Sequence, residues 1–160
     1  MLILGIDPGY ARCGYGLIKY EGNKTTLLDY GCIETKPDMP HRDRLLLLHE
    51  DLHRILEEHN PQKVGVETLF FSKNTKTAMK VAEARGTILL TLAKYNLPLL
   101  ELTPNQIKQA ITGQGSADKQ QIQTMVKLML GLAEIPRPDD AADALAIALT
   151  TAIWKNDLKK

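Results

Sequence analysis

Cysteine is scarce in this sequence, with one thiol at position 13 and one at position 32. Two thiols so placed fit neither a disulfide framework nor a metal knuckle, and the expectation is reduced cysteines in a cytoplasmic protein. Long apolar runs are missing too; nothing approaches the roughly 20 residues that a membrane-crossing helix needs. No basic leader is expected, because an acidic residue already stands at position 7. Repeats, low-complexity tracts and linkers are absent, so the 160 residues are expected to form one domain with a full core. Charge of one sign is also lacking. The net charge is +1, with 44% apolar and 24% charged residues, the balance of an ordinary soluble globule.

That small net charge is unevenly spread. Between Leu69 and Gly131 stand eight lysines and arginines against three acids, a local net of +5 that leaves −4 for the rest. Solvated helix faces produce such imbalances in any globular protein. The asymmetry also suits an acidic site beside a basic surface.

The chain is organised around Leu2-Ile-Leu-Gly-Ile-Asp7-Pro8-Gly9, an apolar strand halted by Pro-Gly just after a carboxylate. Asp7 therefore stands at the exposed end of a central strand, where it can do chemistry or merely bond local amides. Residues 14–20 and 25–34 read as two further strands, separated by a turn at 21–24, which completes an antiparallel meander. Residues 41–60 form an amphipathic helix with Leu45, Leu48, Leu52, Ile55 and Leu56 on one stripe, stopped by Pro61. Lys63-Val-Gly-Val-Glu67 is a fourth strand that again ends in a carboxylate. Asn74 caps a helix to about Tyr95, residues 97–102 return as a fifth strand, and Thr103-Pro-Asn-Gln106 is a capping box. Ser116 is expected to cap the next helix, and 139–154 the last. This order predicts an α/β layer protein.

Two strand ends thus carry acids, and the last helix opens Asp139-Asp140-Ala-Ala-Asp143. Residues 140 and 143 share a helix face, with Cβ atoms about 5–6 Å apart. First-turn acids complement a helix dipole, but Asp143 lies amid Ala, Leu and Ile, where an unpaired acid is expensive. If that face meets the strand ends, several carboxylates share one volume and raise one another's pKa values. A divalent cation removes the repulsion, and an all-oxygen set favours Mg²⁺ or Mn²⁺ over zinc. Two such ions about 3.5–4 Å apart can hold the attacking and leaving oxygens of a phosphoryl displacement.

Gly-Ile-Asp-Pro-Gly (5–9), Val-Glu-Thr-Leu-Phe-Phe-Ser-Lys-Asn (66–74), Glu-Ala-Arg-Gly (83–86), Gly-Gln-Gly-Ser-Ala-Asp-Lys (113–119) and Asp-Ala-Ala-Asp-Ala-Leu-Ala-Ile-Ala (140–148) occur in that order across nearly the whole chain. Together they resemble the RuvC family of Holliday junction resolvases. The resemblance implies a ribonuclease H-like fold, with a five-stranded mixed sheet (three antiparallel strands, two parallel) flanked by helices. It implies that Asp7, Glu67, Asp140 and Asp143 are the metal-binding catalytic acids, with two Mg²⁺ per site and Mn²⁺ as a substitute. Lys108 and Lys119 would lie near the scissile phosphate, and Phe70 would contact junction bases. Phe71, Lys73 and Lys76 fall in the same basic, aromatic stretch and are expected to bind DNA as well; rings in an exposed loop can stack on unpaired bases. The expected activity is paired, symmetric nicking of four-way DNA junctions in recombination and repair, by hydrolysis that leaves 5′-phosphates. The expected partners are junction DNA, a second copy of the chain joined through the helix at 74–95 by Ala82, Ala84 and Gly86, and a branch-migration motor.

Other readings compete. His49-Glu50-Asp51-Leu52-His53 matches the zinc peptidase pattern H-E-x-x-H, but both histidines are expected on the solvent flank of the leucine stripe with no third ligand. The Asp-Pro-Gly turn is similar to the phosphate loop of actin-like sugar kinases, which need a second domain for which 160 residues leave no room. A non-catalytic junction-binding module would be expected to have lost an acid, and none is missing. Nucleases of the pre-ribosomal RNA processing type are the nearest enzymatic rival; they lack the Phe-Phe loop and the Gly-Gln-Gly-Ser segment together.

Overall fold

The computed structural model describes residues 1–68 and 75–154, with side chains from 77 onward in the second stretch. Phe70, Phe71, Lys73 and the Asn74 cap lie outside the described residues, as does the Lys76 side chain. Strands β1 (Leu2–Asp7), β2 (Arg12–Glu21) and β3 (Lys24–Glu34) form the meander, with Gly22 turning the chain at φ +61°. Helix α1 (His41–His59) follows, then β4 (Lys63–Glu67), α2 (Thr75–Lys94) and β5 (Leu99–Leu102). Helices α3 (Pro104–Thr112), α4 (Lys119–Leu130) and α5 (Asp139–Ile153) complete the described chain. The sheet order is β3-β2-β1-β4-β5, with β1 antiparallel to β2 and parallel to β4, and β4 parallel to β5. This is the expected mixed sheet.

Side-chain alternation divides the core into two layers. Leu4, Ile6, Leu17, Val64 and Val66 pack against α1 and α2 on one face. Ile3 and Ile18 face α3, α4 and α5 on the other. Helix α5 is buried nearly all round from Ala141 to Thr151, as its Ala-, Leu- and Ile-rich sequence requires. The sheet under α5 is floored with glycine: Gly5 pairs with Gly16 on β2 and with Gly65 on β4, making a row across three strands. A Cβ on Gly5 would fall 2.1 Å from the Ala144 carbonyl, one on Gly14 2.0 Å from the Asp140 carbonyl, and one on Gly65 1.9 Å from Thr151 Oγ1. The bare row lets α5 lie almost against the sheet backbone.

Three local expectations need correction. Asp118, not Ser116, caps α4: its side chain accepts from Gln121 N–H while Gln121 returns to the Asp118 N–H, a reciprocal box that Ser116 lacks. Ala84 is fully buried beside Ile88 in the sheet-facing core, so it cannot line an outer surface of α2. Ala82 and Gly86 do lie outside, with open space around Gly86. His49 is half-buried against α2, whereas His53 stays exposed on the solvent flank as expected. Helix α2 adjoins that flank: His49 Nδ1 lies 2.7 Å from Thr91 Oγ1, His53 bonds the Tyr95 hydroxyl, and the two rings stack 6.2 Å apart. The H-E-x-x-H match is a helix-packing seam on the face of the sheet opposite α5.

Candidate active site

The alternation that puts Gly5 under α5 puts Asp7 there too, and the same spacing relates Gly65 to Glu67. Each glycine admits the helix, and each acid two residues on meets the helix's first turns. Asp7 is consequently mostly covered, not at an exposed strand end as its sequence position suggests. Burial first, then the charges of Glu67, Asp143 and Asp140, raise its pKa well above the ordinary carboxylate value, with Lys119 opposing. Burial and Asp143 push Glu67 up to about 7, against a side-chain hydrogen bond with Asp7 and the charge of Lys108. Asp143 is raised as well, chiefly by burial, although the Lys119 ammonium counters it.

Cations hold the helix-borne acids. Lys119, the first residue of α4, places Nζ 3.1 Å from Asp143 Oδ2 and 3.5 Å from Asp139 Oδ2. Arg12 spans from Glu34 Oε1 (3.3 Å) to Asp140 Oδ2 (3.3 Å). Beside Glu67 and Asp143 opens a cleft of about 210 Å³, rimmed by Lys108 and Lys119 and floored by Ile107, Ile122, Ala146 and Ile147. Asp7, Glu67, Asp143, Lys108 and Lys119 therefore gather at the C-terminal ends of β1 and β4, with Asp140 a step aside under Arg12.

Four supporting residues lie outside the site set expected from the sequence. Arg85 Nε donates to the Glu67 carbonyl (3.4 Å) and its guanidinium pairs with Glu101, which tethers α2 to the end of β4. The Thr68 N–H donates to the Leu102 carbonyl (2.8 Å), fixing the same corner. Arg12 and Asp139 are the other two. The Glu-Ala-Arg-Gly motif was visible, but nothing in its spacing says that its arginine reaches a strand end.

Among the described residues no three Asp, Glu, His or Cys side chains stand in a metal-holding cluster. Lys119 supplies the positive charge between α4 and α5 instead. The donors nevertheless fit a hard divalent cation: Asp7, Glu67 and Asp143 are oxygen ligands, and burial first, with neighbouring carboxylates second, raises their pKa values.

Residues 3–151 match the family model of the crossover junction endodeoxyribonuclease RuvC. The chain belongs to the RuvC family. A crossover junction endodeoxyribonuclease RuvC of Desulfitobacterium hafniense is 54% identical over 160 residues, covering 100% of this chain and 97% of that one. A relative of the same name from Pelotomaculum thermopropionicum is 48% identical and covers 99% of each chain. Among solved structures, Thermus thermophilus RuvC in complex with a Holliday junction substrate superimposes with a TM-score of 0.88 at 38% identity, over 94% of this chain and 92% of that one. The family's endonuclease activity and ribonuclease H-like architecture agree with the sheet, the acids and the flanking cations. No described helix is long and apolar enough to cross a membrane.

Proposed function

We propose that this chain resolves four-way DNA junctions by paired, symmetric nicks, hydrolysing phosphodiesters to 5′-phosphates with Mg²⁺ and accepting Mn²⁺. The observation that carries this reading is the meeting of Asp7 and Glu67 with Asp143 beside Lys119, where α5 approaches the ends of β1 and β4. Asp7, Glu67, Asp140 and Asp143 would hold the metal. When bound, divalent ions polarise the attacking water and offset charge on the leaving 3′-oxygen. The chain's own contribution is positional. Backbone contact along the glycine row sets the carboxylates, while Lys108 and Lys119 on the cleft rim meet the scissile phosphate. Phe70 and Phe71 are assigned to stacking on unpaired bases, and Lys73 and Lys76 to the flanking backbone.

A junction is two-fold symmetric, so two cuts call for two copies of the site. The exposed face of α2 supports a homodimer: Met79 (76% exposed), Ala82, Gly86 and Leu90 (65% exposed) follow one another at helical spacing. A branch-migration motor on the same junction is the further partner that family resemblance implies. The free thiols Cys13 and Cys32 agree with a cytoplasmic setting. The test is to incubate the protein and Mg²⁺ with a mobile four-way junction or a linear duplex of matched sequence. Paired nicks in the junction alone support the reading; equal cutting of both substrates, or none, overturns it.

A further inference from the structure

Lys119 is shared between two carboxylates, and only Asp143 belongs to the proposed metal set. Asp139 lies one turn earlier on the same face of α5, and its other oxygen accepts from Arg137 Nη1 at 2.8 Å. On α4, one turn beyond Lys119, Gln123 is only 7% exposed, its amide adjoins Asp139, and its Nε2 has no hydrogen-bond partner. Two side chains from α4 and one from the loop before α5 thus converge on an acid to which the family resemblance gives no role.

We propose that Asp139 is a positioning residue that keeps Lys119 at the scissile phosphate once a divalent cation has taken Asp143. The inference rests on the metal-ligand reading of Asp143. A cation on Asp143 removes the closer of the two Lys119 partners and repels the ammonium. Without a second anchor, a four-carbon side chain at the first position of α4 would swing out, since the positive end of the helix dipole disfavours a cation there. Asp139 is that anchor. It stands 3.5 Å from Nζ already, so the handover needs no backbone movement. Arg137 fixes the other carboxylate oxygen, and the free Gln123 amide proton is available to a carboxylate that must hold its rotamer.

The test compares Asp139→Asn and Asp139→Glu with the wild type. Asp139 is the first residue of α5, keeps 44% of its side chain exposed and has polar partners, so both variants should fold. Asp139→Asn should lower the single-turnover rate on saturating junction and Mg²⁺ about tenfold, with junction affinity changed less than about twofold. Asp139→Glu should restore most of the rate. In the Lys119→Ala background Asp139→Asn should add no further loss, because its effect passes through the missing ammonium. Acetylation of Lys119, followed by mass spectrometry, should speed up severalfold on adding Mg²⁺ in Asp139→Asn but not in the wild type. A wild-type rate for Asp139→Asn, additive losses with Lys119→Ala, or unchanged Lys119 labelling would each overturn the proposal. Asp143→Asn separates the two ideas: if it still cuts normally the metal-ligand reading falls and takes this inference with it. If it is inactive while Asp139→Asn is normal, only the inference falls.

Discussion

Gly5 lies so close beneath Ala144 that a single added carbon would sit 2.1 Å from the Ala144 carbonyl oxygen. Both partners are backbone, one in the central strand and one in a buried helix, and neither can yield cheaply. Gly5→Ala should therefore destabilise by about 3 kcal/mol, the upper range of overpacking, and lower the melting temperature by on the order of 10 °C. Thermal unfolding followed by circular dichroism reads this directly. A near-normal melting temperature would mean that α5 does not rest on the sheet as described.

Neutralising the acids should separate cutting from binding. Asp7→Asn, Glu67→Gln, Asp140→Asn and Asp143→Asn should each abolish cleavage in Mg²⁺ while leaving junction binding intact or tighter. Removing a negative charge near a phosphate favours the complex. Gel-shift and cleavage assays on one junction give both numbers. Any variant that cuts near the normal rate loses its place among the ligands.

Lys119→Ala should lower the single-turnover rate on the order of a hundredfold, as expected for lost transition-state charge stabilisation. Junction affinity should fall far less, with the salt slope changing by about one unit. Equal losses in rate constant and affinity would make Lys119 a binding contact only.

The raised acids predict a pH dependence of stability. Glu67 shifts from 4.5 up to about 7, and Asp7 moves in the same direction. An acid with a raised folded pKa holds its proton more tightly folded than unfolded. Its stabilising contribution is therefore present at low pH and is lost as pH rises from about 4.5 through about 7. Without metal, the melting temperature should fall by on the order of 5 °C between pH 5.5 and pH 8. Glu67→Gln should flatten that decline, and Mg²⁺ should restore stability mainly at the higher pH. A decline just as steep in Glu67→Gln would assign it to other groups.

Arg85 supports Glu67 through its main chain. Arg85→Ala removes both the bond to the Glu67 carbonyl and the pair with Glu101, so β4 loses its tie to α2. Cleavage should slow about tenfold through misplacement of the acid. Arg85→Lys should recover little of it, since a point charge cannot reach both acceptors as a fork does. Full activity in Arg85→Ala would leave the arginine as a surface ion pair.

Much of this arrangement was legible in the chain because periodicity and punctuation act locally. Pro8-Gly9 and Pro61 stop their elements where the sequence says, and the Thr103–Gln106 box forms as read. Asp7 and Glu67 were identifiable as strand-end acids. Their burial was not, because it depends on a helix more than seventy residues away in the chain. The glycine row escaped notice for a related reason: Gly5, Gly16 and Gly65 acquire their meaning only in register across three strands. Ser116 and Asp118 both resemble caps, and only the reciprocal reach of Gln121 decides between them. His49 turns towards α2 and not towards solvent because one helix's leucine stripe does not reveal where a second helix lies.

The contacts between α5 and the sheet also set the height at which the helix stands. Asp140, Ala144, Ala148 and Thr151 run along one ridge of the helix, and each is seated over a glycine. Two of the closest of these contacts are made by the helix backbone, the Asp140 carbonyl over Gly14 and the Ala144 carbonyl over Gly5. The spacing between the strand acids and the helix acids is thus machined into the backbone, through glycines that carry no acid of their own. A divalent cation bound there would meet carboxylates whose spacing the backbone already sets.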